Sequence, residues 1–225
     1  MCQLKCRYCV NRLIRKEPTR EYGIMNDATL DATLSILKTL VDRGTQAEVN
    51  MNGNGESCID TRLPKRIRAV KDIVGNDRTV QFCTNGVNMT RELAGKLKDS
   101  GVDRIDISIH DIFHARKCAD IFEEFQINGL FAAGALMSPH DWAGQMEPEN
   151  RLKVRAKAKC DPLIEGRAYV QSEGTISPCC YDFRNLGTIG TVFDENILER
   201  FVRPYELCHS CHQIIPDNII EKEAA

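Results

Sequence analysis

Three cysteines near the start of the chain have the spacing of a metal-binding loop. Cys2, Cys6 and Cys9 follow one another at intervals of four and three residues, and Tyr8 precedes the third. Three thiolates on one tight loop can each bind one iron of a 4Fe–4S cube, which leaves the fourth iron open to a small molecule. The loop therefore predicts a cluster that passes an electron to a bound molecule. A zinc knuckle or a disulfide framework is the alternative interpretation.

A second set of cysteines lies in the last third of the chain. The set consists of Cys160, Cys179 (with Cys180 as its substitute), Cys208 and Cys211. A hairpin is predicted at 167–177, between Cys160 and Cys179, and a helix near 194–203, before Cys208. Four thiolates from separate segments can complete a second 4Fe–4S cube or bind a tetrahedral zinc ion. The pattern predicts a second metal centre, for which a structural zinc ribbon is the alternative.

Composition narrows the class of protein. The chain has 225 residues, 42% of them hydrophobic, and a net charge of −2, so no basic excess points to nucleic acid as the main partner. No apolar run is long enough to cross a bilayer, and we expect no membrane partner. Eleven cysteines without a secretory signal favour metal ligation over disulfides, so we expect a reducing cytoplasm.

Alternating strands and helices must position these cysteines. A helix beginning at Asn26 or Asp27 and ending at Gly44 comes first. Strand patterns at 46–52, 78–84, 102–110 and about 129–136 then alternate with helical patterns at 62–74, 90–99 and about 114–125. This order predicts a parallel sheet with crossover helices.

Each predicted strand has one apolar face and one polar face, which favours a curved sheet over a doubly wound one. We therefore predict an α/β fold, a partial (β/α) TIM-like barrel of parallel strands over 1–137. A small cysteine-rich domain with a β-hairpin and a helix is predicted over 138–225.

Polar turns follow two of the predicted strands. Gly53-Asn54-Gly55-Glu56 comes after the first strand and Thr84-Asn85-Gly86 after the second, while Ser108 lies near the end of the third. Ligand sites in parallel α/β folds lie at this end of the strands, and glycines let the backbone approach a ligand closely. The alternative interpretation is that the two segments are ordinary β-turns and that Ser108 is only a small polar residue of its strand.

The CxxxCxxC spacing with Tyr8 before the last cysteine resembles the radical S-adenosylmethionine (SAM) enzymes. The resemblance implies that the open iron binds the amino and carboxylate groups of SAM. It also implies reductive cleavage of SAM to a 5′-deoxyadenosyl radical that abstracts hydrogen from a substrate. The two polar turns resemble the GGE and TNG segments of that family. The SAM contacts implied in this way are Tyr8, Gly53, Asn54, Gly55, Glu56, Asn85 and Ser108.

The second cysteine set resembles the shortened SPASM domain, called a twitch domain, that holds one auxiliary 4Fe–4S cluster. Family members with such a domain modify peptides or oxidise small alcohols. We therefore expect a peptide or protein side chain as substrate and an electron donor such as flavodoxin or ferredoxin. A dehydrogenase of a small alcohol or aminocyclitol is the alternative within enzymes, and a zinc-stabilised binding module is the alternative outside them.

Two residues are candidates for chemistry on the substrate itself. Cys83 lies on the polar face of a predicted strand, and Asp182 follows the second cysteine set and could accept a proton from the substrate. Barrels of this family begin with a strand before the cysteine loop, and here the loop starts at residue 2. We therefore expect that the sequence is shortened at its start.

Overall fold

The computed structural model describes residues 1–6, 9–18, 20–46, 48–133, 167–177 and 179–200. The chain divides into two compact units, one of Met1–Leu4 and Leu34–Met137 and the other of Lys5–Thr33 and Ser138–Ala225. The predicted domain boundary between 137 and 138 stays a prediction. The compact units differ from it in grouping Lys5–Thr33 with the C-terminal residues.

Five helices and seven strands are described, with two short 3-10 segments. In chain order they are α1 (Asn11–Ile14), α2 (Asp27–Asp42), β1 (Val49–Asn50), a 3-10 segment (Ser57–Ile59), α3 (Leu63–Val74), β2 (Val80–Thr84), α4 (Arg91–Asp99), β3 (Arg104–Ile109), α5 (Ile112–Phe125), β4 (Phe131–Ala133), β5 (Tyr169–Val170), β6 (Thr175–Ser177), β7 (Gly190–Thr191) and a second 3-10 segment (Ile197–Arg200). The strand and helix alternation predicted for the first unit is confirmed.

The first unit is a four-stranded sheet in the order β1-β2-β3-β4, with every neighbouring pair parallel. Val49 pairs with Val80, Phe82 with Ile105, and Ile107 with Phe131. Parallel neighbours require a crossover connection, which α3, α4 and α5 supply. The carboxyl ends of β1, β2 and β3 therefore come to one edge of the sheet, together with the turns that follow them.

Side-chain caps set where two of the helices begin. The hydroxyl of Thr90 accepts the N–H of Leu93 at the start of α4, and Asp111 accepts the N–H groups of Phe113 and His114 at the start of α5. These acceptors satisfy backbone donors that lack a partner within the helix. The Asp111 cap explains why α5 begins earlier than the predicted position 114.

The core of this unit lies between the sheet and its helices. The apolar strand residues Val80, Phe82, Ile105 and Ile107 are each at most 1% exposed. They pack in one cluster with helix residues that include Ile67, Val70, Leu97, Ile121 and Phe122. Burying a side chain of this size contributes about 1.5–3 kcal/mol, so this face is the main source of stability.

The opposite face of the sheet is polar and half-buried. Burial alternates residue by residue along β2 and β3, and Gln81, Cys83, Arg104, Asp106 and Ser108 occupy the half-buried positions. The predicted two-residue alternation of the strands is therefore confirmed. Valine, phenylalanine and isoleucine on one face and polar groups on the other leave β2 and β3 with a single core-forming side.

The second unit contains a small antiparallel sheet in the order β5-β6-β7. Tyr169 pairs with Ser177 in the hairpin, and Gly174 in its turn has a φ of +91°, a conformation that favours glycine. This confirms the hairpin predicted at 167–177. The helix predicted near 194–203 is a 3-10 segment at Ile197–Arg200 within the described residues.

A buried arginine joins separate segments of this second unit. The guanidinium of Arg20 donates to Glu173 Oε1 at 2.7 Å, to Gln171 Oε1 at 2.6 Å and to the carbonyl of Phe183 at 2.9 Å. Its side chain is 4% exposed. Because a guanidinium presents its donors in a rigid fork, one residue here satisfies three acceptors from the small sheet and the segment after it.

Of the helices in the described part of the chain, none has the length and apolarity that a bilayer span requires.

Candidate cofactor site

The turn after β1 holds the start of the chain in place. The N–H of Glu56 donates to the carbonyl of Met1 at 2.7 Å. A Cβ atom added at Gly55 would overlap the carbonyl oxygen of Met1 and lie 2.9 Å from its nitrogen. Only glycine fits at this close approach, so the Gly-Asn-Gly-Glu turn fixes the backbone immediately before Cys2.

Glu56 points into the protein from this turn. It is 6% exposed, its Oε1 accepts the N–H of Cys58 at 3.0 Å and the hydroxyl of Thr84, and its Oε2 accepts the N–H of Asn85 at 2.8 Å. A buried carboxylate is costly unless hydrogen bonds compensate for the lost water, and these three donors supply that compensation. Glu56 therefore links the turn after β1 to the turn after β2.

The turn after β2 is fixed by its own hydrogen bonds. Thr84 Oγ1 accepts the N–H of Gly86 at 3.1 Å, and Gly86 has a φ of +76°. A Cβ atom at Gly86 would lie 2.7 Å from the sulfur of Cys118. The backbone conformation and the packing both require glycine at this position.

Asn85 contacts the cysteine loop. Its Oδ1 accepts the N–H of Val87 at 3.0 Å and the side-chain amide of Gln3 at 3.3 Å. Its Nδ2 donates to the sulfur of Cys2 at 3.9 Å. The structure thus brings together Cys2, Gly55, Glu56 and Asn85, all of which were predicted from the sequence as site residues.

For the other residues predicted to contact SAM, the structure gives a position but no interaction that tests the prediction. Ser108 lies in β3, half-buried and paired with Ala132 of β4. Gly53 is exposed, and the Nδ2 atom of Asn54 is buried without a hydrogen-bond partner among the described residues. Their contact with SAM stays a prediction, as does that of Tyr8, which lies outside the described residues.

Cys6 and Cys9 belong to the second unit, where they form one turn. The N–H of Cys9 donates to the carbonyl of Cys6 at 3.2 Å. Both thiols, like that of Cys2, are half-buried. Among the described residues, no group of three or more Cys, His, Asp and Glu side chains forms a site for a single metal ion. A cube uses one thiolate for each iron, so its ligands need not surround one ion.

The two residues predicted to act on the substrate have different environments. Cys83 is half-buried on the polar face of β2, where burial raises the pKa of its thiol and its N–H donates to Asn52. Asp182 is fully buried, and its carboxylate accepts the N–H groups of Leu186 at 2.9 Å and Gly187 at 2.8 Å. These bonds fix a loop, and the proton-transfer role of Asp182 stays a prediction.

The second cysteine set is described in part. Cys179 and Cys180 are half-buried, and the N–H of Tyr181 donates to the sulfur of Cys179 at 3.4 Å. A hydrogen bond from Cys179 lowers the pKa of the Cys180 thiol to about 7, against the opposing effect of burial. The remaining predicted ligands, Cys160, Cys208 and Cys211, lie outside the described residues.

Cys58 lies directly behind Glu56 and is buried, as a free cysteine commonly is. Its side chain is 7% exposed, and burial followed by the nearby Glu56 carboxylate raises the pKa of its thiol to about 12. This thiol stays protonated at neutral pH and forms part of the interior beneath the site.

The residues of the first unit suit a 4Fe–4S cluster with SAM. Thiolates are the preferred ligands of iron–sulfur clusters, and Cys2 presents one beside a side-chain amide donor. The buried amide of Asn54 lacks a partner among the described residues and could donate to a ligand carboxylate. The glycine turn lets a ligand approach its backbone.

The first half of the chain matches a known protein family. The Radical SAM superfamily matches residues 1–121. A probable GTP 3′,8-cyclase of Methanococcus maripaludis strain C6 is 33% identical over 108 residues, which are 48% of this chain and 33% of that protein. A probable GTP 3′,8-cyclase of Sulfolobus acidocaldarius is 43% identical over 58 residues, 26% of this chain and 18% of that protein. The chain thus spans a third or less of the length of these relatives.

Solved structures resemble the fold over most of the chain. BtrN in complex with AdoMet and 2-DOIA has a TM-score of 0.70 at 17% identity and covers 93% of this chain and 80% of that one. BtrN in an open conformation has a TM-score of 0.61 at 16% identity, with 93% and 78% covered. At this identity the likeness concerns the fold alone, and it confirms the predicted α/β class. Because the family match covers more than half of the residues, the protein belongs to the radical SAM superfamily of enzymes, which use a 4Fe–4S cluster and SAM.

Proposed function

We propose that Cys2, Cys6 and Cys9 hold the 4Fe–4S cluster of this enzyme and that the turns after β1 and β2 seat SAM beside it. When bound, the cluster supplies one electron that splits SAM into methionine and a 5′-deoxyadenosyl radical, which takes a hydrogen atom from the substrate. The chain contributes the cluster ligands and the orientation of SAM.

One observation carries this proposal. Cys2, the Gly-Asn-Gly-Glu turn and the Thr-Asn-Gly turn form a single hydrogen-bonded assembly through Glu56 and Asn85. The two turns lie at the carboxyl ends of neighbouring parallel strands, where α/β folds bind ligands. A cluster ligand and the predicted SAM seat are therefore held by the same few contacts.

At these two turns, the chain offers groups that can bind the carboxylate of SAM and groups that can bind its amino group. The buried amide of Asn54 can donate to the SAM carboxylate, and the backbone of Gly53 to Glu56 can approach its amino group. Ser108 offers a hydroxyl at the end of β3, and Tyr8 adds a group from the cysteine loop. Glu56 is assigned mainly to holding the two turns together, because its oxygens already accept three protein donors.

For the substrate, we favour a small polar molecule with a hydroxyl-bearing carbon. The polar face of the sheet carries an ion pair between Arg104 and Asp106 at 2.7 Å, together with Cys83 and Gln81, and such a face suits a polar molecule. The named relatives point the same way, since one set is called GTP 3′,8-cyclase and the BtrN structure contains 2-DOIA. Oxidation of an alcohol, as in a dehydrogenase, is the reaction favoured here.

A peptide or protein side chain is the second candidate substrate, because enzymes with a twitch domain modify peptides or oxidise small alcohols. Cys179 and Cys180 follow β6 as in the twitch domains that the C-terminal sequence resembles. We propose that Cys160, Cys179, Cys208 and Cys211 bind an auxiliary 4Fe–4S cluster, with Cys180 as a substitute for Cys179. In either reaction this cluster would accept the electron left on the substrate, and flavodoxin or ferredoxin would reduce the first cluster.

The test is anaerobic reconstitution of the chain with iron and sulfide, followed by dithionite and SAM. The proposal predicts 5′-deoxyadenosine and methionine in equal amounts, and neither product from a Cys2→Ala variant. Deuterated polyols and deuterated peptides, added separately, then identify the substrate class by the deuterium that appears in 5′-deoxyadenosine. A reconstituted chain that binds a cube and SAM yet forms no 5′-deoxyadenosine would overturn the proposal.

A further inference from the structure

The contact between Asn85 and Cys2 has a defined direction. We infer that Asn85 is a positioning residue whose carboxamide donates an N–H···S hydrogen bond to the Cys2 thiolate and makes the first cluster easier to reduce. This inference rests on the proposed function, because it takes Cys2 as a cluster ligand. It assigns Asn85 an effect on the cluster in addition to its predicted contact with SAM.

The orientation of the amide follows from its other contacts. The N–H of Val87 lies 3.0 Å from Asn85 Oδ1, and a backbone N–H can only donate. The side-chain NH₂ of Gln3 lies 3.3 Å from the same oxygen. Rotating the carboxamide of Asn85 by half a turn would place its NH₂ group against the N–H of Val87, which cannot accept. The oxygen therefore faces Val87, and the NH₂ group must face the sulfur of Cys2 at 3.9 Å.

The backbone of Asn85 is equally constrained. Its N–H donates to Glu56 Oε2 at 2.8 Å, and the residue is 7% exposed. Glu56 in turn holds the carbonyl of Met1, next to Cys2, through its own N–H at 2.7 Å. Donor and acceptor are thus fixed from both sides, and the amide does not need to reorganise when the charge on the sulfur changes.

The physical consequence concerns the reduction potential. Reduction adds negative charge to a cluster and its thiolates, and a hydrogen bond to a ligating sulfur stabilises the more negative state. A buried donor has a larger effect than an exposed one, because water does not replace it when it is removed. Asn85 should therefore raise the potential of the first cluster.

The experiment compares reduction potentials of the reconstituted chain with those of three variants, by redox titration followed with EPR. Asn85→Asp keeps an oxygen for Val87 and replaces the donor with a negative charge. Asn85→Ser also keeps an oxygen near the backbone, but its side chain is too short to reach Cys2 and adds no charge. Asn88→Ala is the matched control, since Asn88 donates at 3.4 Å to the carbonyl of Cys58 and belongs to the same turn region.

We expect Asn85→Ser to make reduction of the first cluster about tenfold less favourable, a shift of about 59 mV for one electron. Asn85→Asp should shift the potential further in the same direction, and Asn88→Ala should leave it unchanged. Iron and sulfide contents are measured in parallel. Potentials of both Asn85 variants equal to that of the control would overturn the role of Asn85 alone. If the wild-type chain binds no 4Fe–4S cube, both the proposed function and the role of Asn85 are overturned.

Discussion

The carboxylate of Glu56 and the backbone N–H of Asn85 form a buried hydrogen bond of 2.8 Å between residues 29 positions apart. This bond joins the turns that follow two neighbouring parallel strands. Because Glu56 also binds the carbonyl of Met1 and Asn85 also contacts the sulfur of Cys2, the start of the chain is held against both turns. The geometry of the candidate site depends on this one acidic residue.

Replacement of Glu56 by glutamine should therefore loosen the site. Glutamine keeps one oxygen but places an NH₂ group where an oxygen now accepts a backbone N–H, so a buried donor loses its partner. We expect the free energy of unfolding to fall by about 1–3 kcal/mol. Urea unfolding of the two proteins measures the difference. Glu48→Gln is the matched control, since Glu48 is exposed, and equal losses in both variants would show that Glu56 has no special part.

Replacement of Gly55 by alanine should displace the first residues of the chain. The new methyl group would overlap the Met1 carbonyl, which is backbone and cannot rotate away. We expect loss of the bond between Glu56 N–H and Met1, and loss of the first cube on reconstitution. Iron analysis would then find about half the wild-type iron, if two cubes are bound. Gly23→Ala serves as control because its added methyl group meets only open space.

The ionisation of Cys58 should shape the alkaline stability of the protein. Its pKa is raised from 9.0 to about 12, first by burial and then by Glu56. A raised thiol pKa means that stability is fully present below about pH 9 and is lost as the pH rises towards about 12, because the unfolded chain ionises first. Denaturant midpoints across this range should fall more steeply for the wild type than for Cys58→Ala. Parallel curves would contradict the assignment.

Replacement of Arg20 by methionine should lower the stability of the second unit. Arg20→Met removes the cation beside Glu173, whose side chain is 12% exposed, and removes the donor to Gln171 Oε1 and to the Phe183 carbonyl. Breaking a buried ion pair in this way costs about 3–5 kcal/mol. Thermal unfolding monitored by circular dichroism tests this expectation. Arg12→Met, at an exposed position of α1, should unfold within a few degrees of the wild type.

Much of the fold could be predicted from the sequence because periodicity reports burial directly. The alternation in β2 and β3, and the apolar spacing in α3 and α4, predict elements close to those observed. The glycines and polar residues of the two turns likewise predict where a ligand site lies. These features are local, and each depends on a few neighbouring residues.

The contacts that complete the site could not be predicted, because they join distant residues. Nothing local to Glu56 shows that its side chain turns inward, since an acidic residue in a turn is usually exposed. The amide of Asn85 reaches Cys2 across 83 positions of sequence. Among the described residues, β1 covers Val49–Asn50, which is shorter than the strand predicted at 46–52. The third strand of the small sheet, Gly190–Thr191, was missed because two residues show no alternation.

The most direct test of the central claim is iron and sulfide analysis of the anaerobically reconstituted chain beside a variant with Cys2, Cys6 and Cys9 replaced by alanine. Two cubes predict about eight irons in the wild type and about four in the variant, with formation of 5′-deoxyadenosine from SAM only in the wild type. Equal iron contents in the two proteins, or zinc without sulfide in the wild type, would contradict the account.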